Sequence, residues 1–192
     1  AFALAVYKLT RQLIKLNSKV KTLSLTDPLT HCYNRLYLED SLNKEIQRSY
    51  RFKIPLTVIF ADLDHFKKIN DQEGHNAGDI VLKEFVQLVS TSIRNNVDWI
   101  ARFGGEEFII TLPNTSAENG AKLANRIREK VSQHNFVLAD KPIHVSCSFG
   151  VTEIDFNKDE LNAEQLTSNA DQALYKAKEN GRNRVEIFTE KN

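Results

Sequence analysis

Four carboxylates stand at the ends of two strand-like segments of the sequence. Asp62 and Asp64 close the run LTVIFADLD, and Glu106 and Glu107 follow a pair of glycines in RFGGEEFIITLP. Close carboxylates without a compensating charge raise one another's pKa values, so such a set normally holds a divalent cation. Oxygen ligands with no His or Cys nearby favour Mg²⁺ or Mn²⁺, which in turn favours chemistry on phosphates.

The pattern around these acids leaves two points open. Acids at the edge of a sheet also serve solubility alone, and alternation along a strand sends Glu106 and Glu107 to opposite faces, so that only one of them is expected to bind a metal. Gly104 and Gly105 are expected to form the two-residue loop of a tight hairpin, where a Cβ at either position would obstruct the turn. The sequence alone does not choose between the two glutamates.

Hydrophobic periodicity predicts the elements that position these acids. Strands are predicted at 56–64, 99–103, 106–112, 143–154 and 184–188, and helices at 35–52, 79–94, 116–134 and 163–179. A short helix and a polar loop are expected between 65 and 79, and Asp27 followed by Pro28 predicts the start of a helix. The order β-α-β-β-α-β predicts an α+β fold, a ferredoxin-like, mostly antiparallel sheet backed by helices, in which the first strand lies beside the hairpin.

The first 25 residues carry an apolar heptad pattern. Its positions are Phe2, Val6, Leu9, Leu13, Leu16, Val20 and Leu23. So narrow an apolar stripe predicts a parallel coiled-coil dimer, with an amphipathic helix lying on its own domain as the alternative. We therefore divide the chain into a coiled-coil signalling and dimerisation helix, 1–25, and a folded domain, 26–192.

Composition limits the partners and the compartment. Among 192 residues, 26 Lys and Arg stand against 25 Asp and Glu, so no overall field would attract a nucleic acid. Cys32 and Cys147 lack metal-ligand spacing and predict buried thiols in a reducing compartment, the cytoplasm. The opening AFALAVYKLTRQ is too short to span a bilayer, but it leaves open an inner-membrane-anchored parent protein with an N-terminal sensor or membrane domain.

Five motifs in order resemble those of one family. The segments DPLTHCYNR, FADLDHFKKINDQEGHNAGD, RFGGEEF, SFGVT and ADQALYKAKENGRNRV are similar to the successive motifs of the GGDEF family, the diguanylate cyclases, over residues 24 to about 188. The resemblance implies a polymerase-palm-like fold and the joining of two GTP molecules into cyclic di-GMP with release of two pyrophosphates. Each 3′-hydroxyl would attack the other nucleotide's α-phosphate across a homodimer of facing domains.

The resemblance also implies roles for individual residues. Asp62, the backbone carbonyl of Leu63 and Glu106 would bind two divalent ions, Mg²⁺ or Mn²⁺. Glu106 would be the base, with Glu107 beside it and Lys67 as the third member of the catalytic set. The substrate contacts implied for GTP are Asn70, His75, Asp79, Gly104, Gly105, Lys178 and Arg182, of which Lys178 and Arg182, together with Lys67, would meet the phosphates.

The implied guanine contacts have a chemical basis, but helix capping is an alternative role for the same residues. Guanine presents two donors on its Watson–Crick edge, which the Asp79 carboxylate could accept, whereas adenine would offer it an unpaired acceptor. GTP is therefore expected to be preferred over ATP. The alternative is helix capping, with Asp79 as an N-cap and Asn70 as a C-cap.

The sequence departs from the family pattern at two places, of which the first bears on regulation. The RxxD motif of the inhibitory product site is replaced by Asn95-Asn96-Val97-Asp98, with Arg94 one residue out of register on the predicted end of a helix. A short amide cannot reproduce the bidentate contacts of a guanidinium, so product inhibition is expected to be weak or absent. Cys32, which replaces the usual leucine of DxLTxLxNR, is expected to be a core residue.

Two other functions remain as alternatives. The first is an inactive GGDEF module that binds GTP or cyclic di-GMP as a sensor, and the second is a dimerisation domain. Sensors of this type usually lose the carboxylates and keep the RxxD arginine, which is the opposite of this sequence.

Overall fold

The computed structural model describes residues 6–8, 10–11, 25–138, 141–157 and 161–189. Residues 6–8 and 10–11 are helical, and the heptad positions other than Val6 lie outside the described residues. The coiled coil therefore stays a prediction. In the described ranges, no helix combines the length and the apolar character needed to cross a membrane.

Five helices and seven strands form the described domain. The helices are α1 (Arg35–Phe52), α2 (Phe66–Glu73), α3 (His75–Ser90), α4 (Ala117–Gln133) and α5 (Ala163–Glu179). The strands are β1 (Leu56–Leu63), β2 (Trp99–Gly104), β3 (Glu107–Pro113), β4 (Phe136–Leu138), β5 (Lys141–Ile143), β6 (Cys147–Glu153) and β7 (Val185–Ile187).

The main sheet has the order β2-β3-β1-β6-β7, and β4 and β5 form a separate hairpin. Every neighbouring pair in the main sheet is antiparallel except β6 and β7. The α+β class and the mostly antiparallel sheet backed by helices are confirmed. The central strand β1 runs between β3 and β6, so its carboxyl end meets the β2–β3 turn on one side and the start of β6 on the other.

Helices cover both faces of the sheet, because β1 is apolar on both faces. All eight of its residues are buried. Leu56, Val58 and Phe60 belong to the core beneath α1 and α5, while the alternating residues Ile59 and Ala61 belong to the core with α3 and α4. A central strand buried on both faces explains why its sequence is a continuous apolar run.

Two predicted helix starts are wrong. No polar loop separates the first two helices after β1, since α2 and α3 are joined by Gly74 alone, at φ 85°. Asp27 and Pro28 open a turn instead of a helix, and the Asp27 carboxylate accepts hydrogen bonds from the Thr30 amide and hydroxyl at 2.8 and 2.7 Å. The cap of α1 is Asn34, whose side chain accepts from the Tyr37 amide.

One predicted strand proves to be two. The segment 143–154 is interrupted at 144–146, so its first residue closes β5 and the remainder forms β6. The β4–β5 hairpin was not predicted, because three-residue strands give too short a periodic signal. The interruption matters for the site, since Ser146 lies in it.

Candidate active site

The sheet brings the two sets of acids together. The register of β1 and β3 places Asp62 directly opposite Glu107. Glu106 occupies the turn before β3, and its carbonyl accepts a hydrogen bond from the Leu63 amide at 3.4 Å. The three residues predicted to bind metal therefore lie at one edge of the sheet, with Glu107 beside them.

The β2–β3 turn differs from the predicted one by one residue. Gly104 pairs with Glu107, so Gly105 and Glu106 form the turn. Gly105 has φ 52°, a conformation that favours glycine, but a Cβ built at either glycine would meet no atom within 4 Å. The expectation that a Cβ would obstruct the turn is therefore wrong, and the constraint at Gly105 is its backbone angle.

Lys178, from the last turn of α5, forms an ion pair with one of these acids. Its Nζ lies 2.8 Å from Asp62 Oδ2. Burial raises the pKa of Asp62, with Glu106 and Asp64 adding to the rise and Lys178 opposing it. Burial likewise raises the pKa of Glu107, followed by the charge of Asp62.

The charge balance fits a divalent cation at this edge. Burial and the neighbouring carboxylates together outweigh Lys178 at Asp62 and at Glu107, so both pKa values are raised. In the described parts of the chain, no three His, Cys, Asp or Glu side chains are grouped to hold a metal by themselves. The predicted set needs only two carboxylates and a backbone carbonyl, all oxygen donors of the kind that Mg²⁺ and Mn²⁺ prefer.

Asp64, grouped with the metal acids in the sequence, is engaged by the protein instead. Its carboxylate accepts hydrogen bonds from the Ser146 hydroxyl at 2.6 Å, the Ser148 hydroxyl at 2.7 Å and the Asn183 amide at 3.0 Å. Its own amide donates to the Ser146 carbonyl. Sequence analysis missed these three partners, although Ser148 belongs to the SFGVT motif and Asn183 to the GRNR motif.

The predicted guanine contacts are not capping residues. Asn70 lies inside α2, which ends at Glu73, and Asp79 is the fifth residue of α3, whose N-cap is Gly74. Neither side chain hydrogen-bonds to another described residue. The capping alternative is wrong for both, and their polar groups remain available to a ligand.

Gly78 allows α2 and α3 to approach at this point. A Cβ at position 78 would lie 2.0 Å from Asn70 Oδ1 and 2.9 Å from Phe66 Cζ. The Asn70 amide therefore occupies the space that a side chain would take, one residue before Asp79. Sequence analysis did not single out Gly78, because a glycine inside a helical pattern gives no signal of which neighbour it admits.

The remaining predicted substrate residues lie near the ends of α2, α3 and α5. His75 begins α3 and is exposed, and Lys67 is exposed in the first turn of α2, whose N-cap His65 makes no side-chain cap hydrogen bond. Arg182 is exposed in the turn after α5, at φ 62°. Asp64 precedes α2 and bonds the residue after Arg182, so the start of α2 and the Arg182 turn are neighbours.

The position of the missing RxxD arginine has a different arrangement. Arg94 forms an ion pair with Asp98. The backbone amide and Nε of Arg94 donate to the Asp98 carboxylate at 2.8 and 2.9 Å. Arg94 also donates to the Pro113 carbonyl at 2.7 Å. It lies in a loop and not at a helix end as predicted, because α3 stops at Ser90.

A short chain of contacts joins the N-terminal side of the domain to the β2–β3 turn. Arg102 Nη1 lies 3.2 Å from both carboxylate oxygens of Asp27, and its Nε donates to the Gly105 carbonyl at 2.9 Å. Cys32 is buried close by, as expected, and so is Cys147 in the core. Burial raises the pKa of both thiols.

Comparison with known proteins gives a consistent result. Residues 24–184 match the family model described as diguanylate cyclase, GGDEF domain. The chain is 43% identical over 164 residues to diguanylate cyclase DgcP of Pseudomonas aeruginosa, covering 85% of this chain and 24% of that protein. It is 40% identical over 174 residues to diguanylate cyclase A of Treponema denticola, covering 89% and 46%. The chain thus spans less than half the length of these relatives.

Solved structures share the fold. The coiled coil and GGDEF domain of DgcB from Caulobacter crescentus, in complex with c-di-GMP, matches with a TM-score of 0.88 at 26% identity, covering 95% of each chain. The active GGEEF domain of a diguanylate cyclase from Vibrio cholerae matches with a TM-score of 0.76 at 37% identity, covering 82% of this chain and 98% of that one.

Proposed function

Since the chain belongs to the GGDEF family of diguanylate cyclases, we propose that it condenses two GTP molecules into cyclic di-GMP and two pyrophosphates. The observation that supports this most directly is the convergence of Asp62, Glu106 and Glu107 at one sheet edge, beside Lys178. Relatives named as diguanylate cyclases have 40% to 43% identity to the chain.

The carboxylate edge serves the phosphate chemistry. Asp62, the Leu63 carbonyl and Glu106 would hold two divalent ions, Mg²⁺ or Mn²⁺, which when bound supply charge neutralisation on the triphosphate and a lowered pKa for the 3′-hydroxyl. Glu106, in the turn, accepts the proton of the attacking hydroxyl, and Glu107 adds negative charge next to it. The attack forms the bond from the 3′-oxygen to the α-phosphorus and breaks the bond to the pyrophosphate oxygen.

The cationic side chains bind the phosphates. Lys178 is already held at the carboxylate edge by Asp62, and Arg182 follows it in the next turn. Lys67 lies in the first turn of α2, where unpaired backbone amides add a favourable partial charge. Three cations near one edge would stabilise the negative charge of the triphosphate and of the departing pyrophosphate.

Base recognition uses the α2–α3 contact. The Asp79 carboxylate accepts hydrogen bonds from guanine N1–H and the exocyclic amine, and the Asn70 amide adds a further contact, with His75 close to the nucleotide. Adenine would leave the Asp79 carboxylate facing an acceptor, so GTP is preferred over ATP. The lack of protein partners for Asn70 and Asp79 among the described residues supports this role.

The reaction requires two domains, because each site binds one GTP. We propose a homodimer with facing active sites, joined by the predicted coiled coil of residues 1–25. The buried free thiols of Cys32 and Cys147 support a cytoplasmic location. A sensor domain and anchoring of a parent protein in the inner membrane stay predictions from the sequence.

The proposal is tested with purified protein, GTP and Mg²⁺, with the product identified by chromatography and mass spectrometry. Glu106→Gln is the matched control, because it preserves the size of the side chain and removes its charge. Cyclic di-GMP from the parent chain and none from the variant is the expected result. GTP binding without product, even at protein concentrations that force dimerisation, would favour the inactive sensor module instead.

A further inference from the structure

Asp64 is a buried carboxylate with no cationic partner among the described residues. It is 4% exposed. Hydrogen bonds from two hydroxyls and one backbone amide, those of Ser146, Ser148 and Asn183, take the place of a salt bridge. Burying a carboxylate costs folding free energy unless hydrogen-bond donors surround it, and here all three donors are supplied by other segments of the chain.

The three donors come from two separate segments. Ser146 and Ser148 flank the start of β6, and Asn183 belongs to the turn between α5 and β7. Asp64 itself follows β1 directly and precedes α2. The Asp64 carboxylate therefore links the end of β1, the strand that carries Asp62, to the turn that carries Arg182.

That turn has an unfavourable backbone. Gly181, Arg182 and Asn183 have φ values of 109°, 62° and 45°, and the left-handed region is disfavoured for the two residues with a Cβ. Such a turn persists only when the surrounding structure holds it. Two of the bonds that hold it are Arg182 N–H to the Ala177 carbonyl at 3.0 Å and Asn183 N–H to Asp64 Oδ2 at 3.0 Å.

We propose that Asp64 is a positioning residue that fixes the Arg182 turn against Asp62. It thereby sets the positions of the phosphate-binding cations relative to the carboxylates of Asp62 and Glu106. The inference rests on the proposed function, because it assigns Arg182 to the triphosphate. In this role Asp64 acts on the nucleotide only through the Asn183 amide, whose hydrogen bond it accepts. Its removal would leave buried donors unsatisfied and release the turn.

A double-mutant cycle tests this role. Asp64→Ala, Arg182→Ala and the double variant are compared by KM and kcat for GTP and by the Kd of GTP from calorimetry. Asp64→Ala is expected to raise KM and Kd about tenfold alone but less than about twofold in the Arg182→Ala background, because both changes remove the same contact. In the double variant Asp64→Ala/Asp79→Asn, the fold-changes of the two single variants in KM and Kd are expected to multiply, because Asp79 is assigned to the guanine and not to the phosphates.

Two further variants separate positioning from stability. Glu153→Ala is the matched control, since Glu153 also accepts a backbone amide, that of Ala117 at 2.7 Å, but at the far end of β6. It is expected to lower Tm without changing KM. Asp64→Asn keeps a carbonyl oxygen for Asn183 and is expected to restore KM to near the parent value, and it provides a folded variant if Asp64→Ala does not fold.

The outcomes are distinguishable from failure of the proposed function. If the parent chain binds GTP but makes no product, the proposed function fails and the Kd cycle still tests Asp64. Amide exchange of residues 180–184, measured by mass spectrometry, gives a readout independent of nucleotide: it should quicken in Asp64→Ala and not in Glu153→Ala. Independent effects of Asp64→Ala and Arg182→Ala on Kd, or unchanged exchange in this turn, would overturn the inference.

Discussion

At the scale of single residues, the carboxylate edge formed by Asp62, Glu106 and Glu107 holds more negative charge than Lys178 neutralises. Asp62 and Glu107 face each other across β1 and β3, with Glu106 in the adjoining turn and Lys178 as their nearby cation. Burial raises the pKa of both Asp62 and Glu107, and neighbouring carboxylates add to the rise. This arrangement costs stability in the free protein and favours binding of a cation.

Glu107→Gln is expected to stabilise the protein at neutral pH. The pKa of Glu107 is raised above its ordinary value of 4.5, so the folded state binds this proton more tightly than the unfolded state. Ionised Glu107 therefore lowers stability progressively as pH rises from its ordinary pKa of 4.5 through the raised value, and the full cost is reached above the raised value. Thermal unfolding without divalent ions or nucleotide should show a higher Tm for the variant at pH 7 and a shrinking difference towards pH 4. A difference independent of pH would contradict this.

Gly78→Ala is expected to weaken GTP binding selectively. Its Cβ would lie 2.0 Å from Asn70 Oδ1, so the amide must move away from the Asp79 side of the site. Steady-state kinetics should show KM raised about tenfold, equivalent to about 1.4 kcal/mol. Gly120→Ala is the control, because its Cβ would approach Thr57 Cγ2 to 2.6 Å in the α4–β1 contact. It should lower Tm but leave KM unchanged, and equal effects of the two variants on KM would refute the role of Gly78.

Product inhibition is expected to be weak or absent. Asn95 lacks the guanidinium of the RxxD arginine, and Asp98 is already engaged by Arg94. The Asp98 side chain is 2% exposed, so a ligand could reach it only by displacing Arg94. Initial rates measured with added cyclic di-GMP should not change at submicromolar concentrations. Inhibition in that range, in both the parent chain and Asp98→Asn, would show that another site binds the product.

At the scale of elements, the position of Lys178 depends on how closely α5 packs on β6. Gly150 lies in the centre of β6, and a Cβ there would meet the Ala170 carbonyl at 2.0 Å and the Leu174 amide at 2.2 Å. The backbone of α5 therefore rests directly on this strand. Because Lys178 lies in the last turn of the same helix, the close contact sets its distance from Asp62.

Gly150→Ala is expected to destabilise the protein by about 3 kcal/mol, because backbone atoms cannot yield as a side chain can. Urea unfolding measures the change. Gly104→Ala serves as the stability control, since its Cβ would meet no atom within 4 Å, and its effect should be about 1 kcal/mol or less. A loss below about 1 kcal/mol for Gly150→Ala would mean that α5 shifts without cost.

At the scale of the whole molecule, the N-terminal side of the domain is linked to the β2–β3 turn. Asp27 pairs with Arg102, which donates to the Gly105 carbonyl next to Glu106. Hydrogen bonding from Thr30 and the charge of Arg102 lower the pKa of Asp27 despite its partial burial, so the pair persists at neutral pH. A displacement of the segment before α1 would thus reach the turn through two contacts.

Deletion of residues 1–23 is expected to lower activity at low protein concentration. Two domains must meet for each turnover, and a dimerising helix would keep their effective concentration high. The specific activity of the truncated chain should fall about tenfold or more at low concentration and recover at high concentration. The deletion leaves Asp27 and Arg102 in place, so it tests dimerisation alone. Undiminished activity at low concentration would refute the role of the helix.

The sequence by itself determined the α+β class, the bounds of α1 and α5, and the strands that carry Asp62 and Glu107. These follow from local periodicity and from motifs whose residues are adjacent in the chain, which is information that a single sequence contains. The convergence of Asp62 with the Glu106–Glu107 pair also followed, because the order of the elements leaves few ways to pair the strands.

Tertiary structure alone decided what each polar group contacts. Asp62 and Asp64 are two residues apart and chemically identical, yet one faces Lys178 and Glu107 while the other accepts bonds from Ser148 and Asn183. Helix capping was an alternative role for Asn70 and Asp79 on sequence grounds, and the one-residue join at Gly74 excludes it by placing both residues inside helices. These roles depend on partners distant in the chain, and only the packing of strands and helices fixes which partners come within hydrogen-bonding distance.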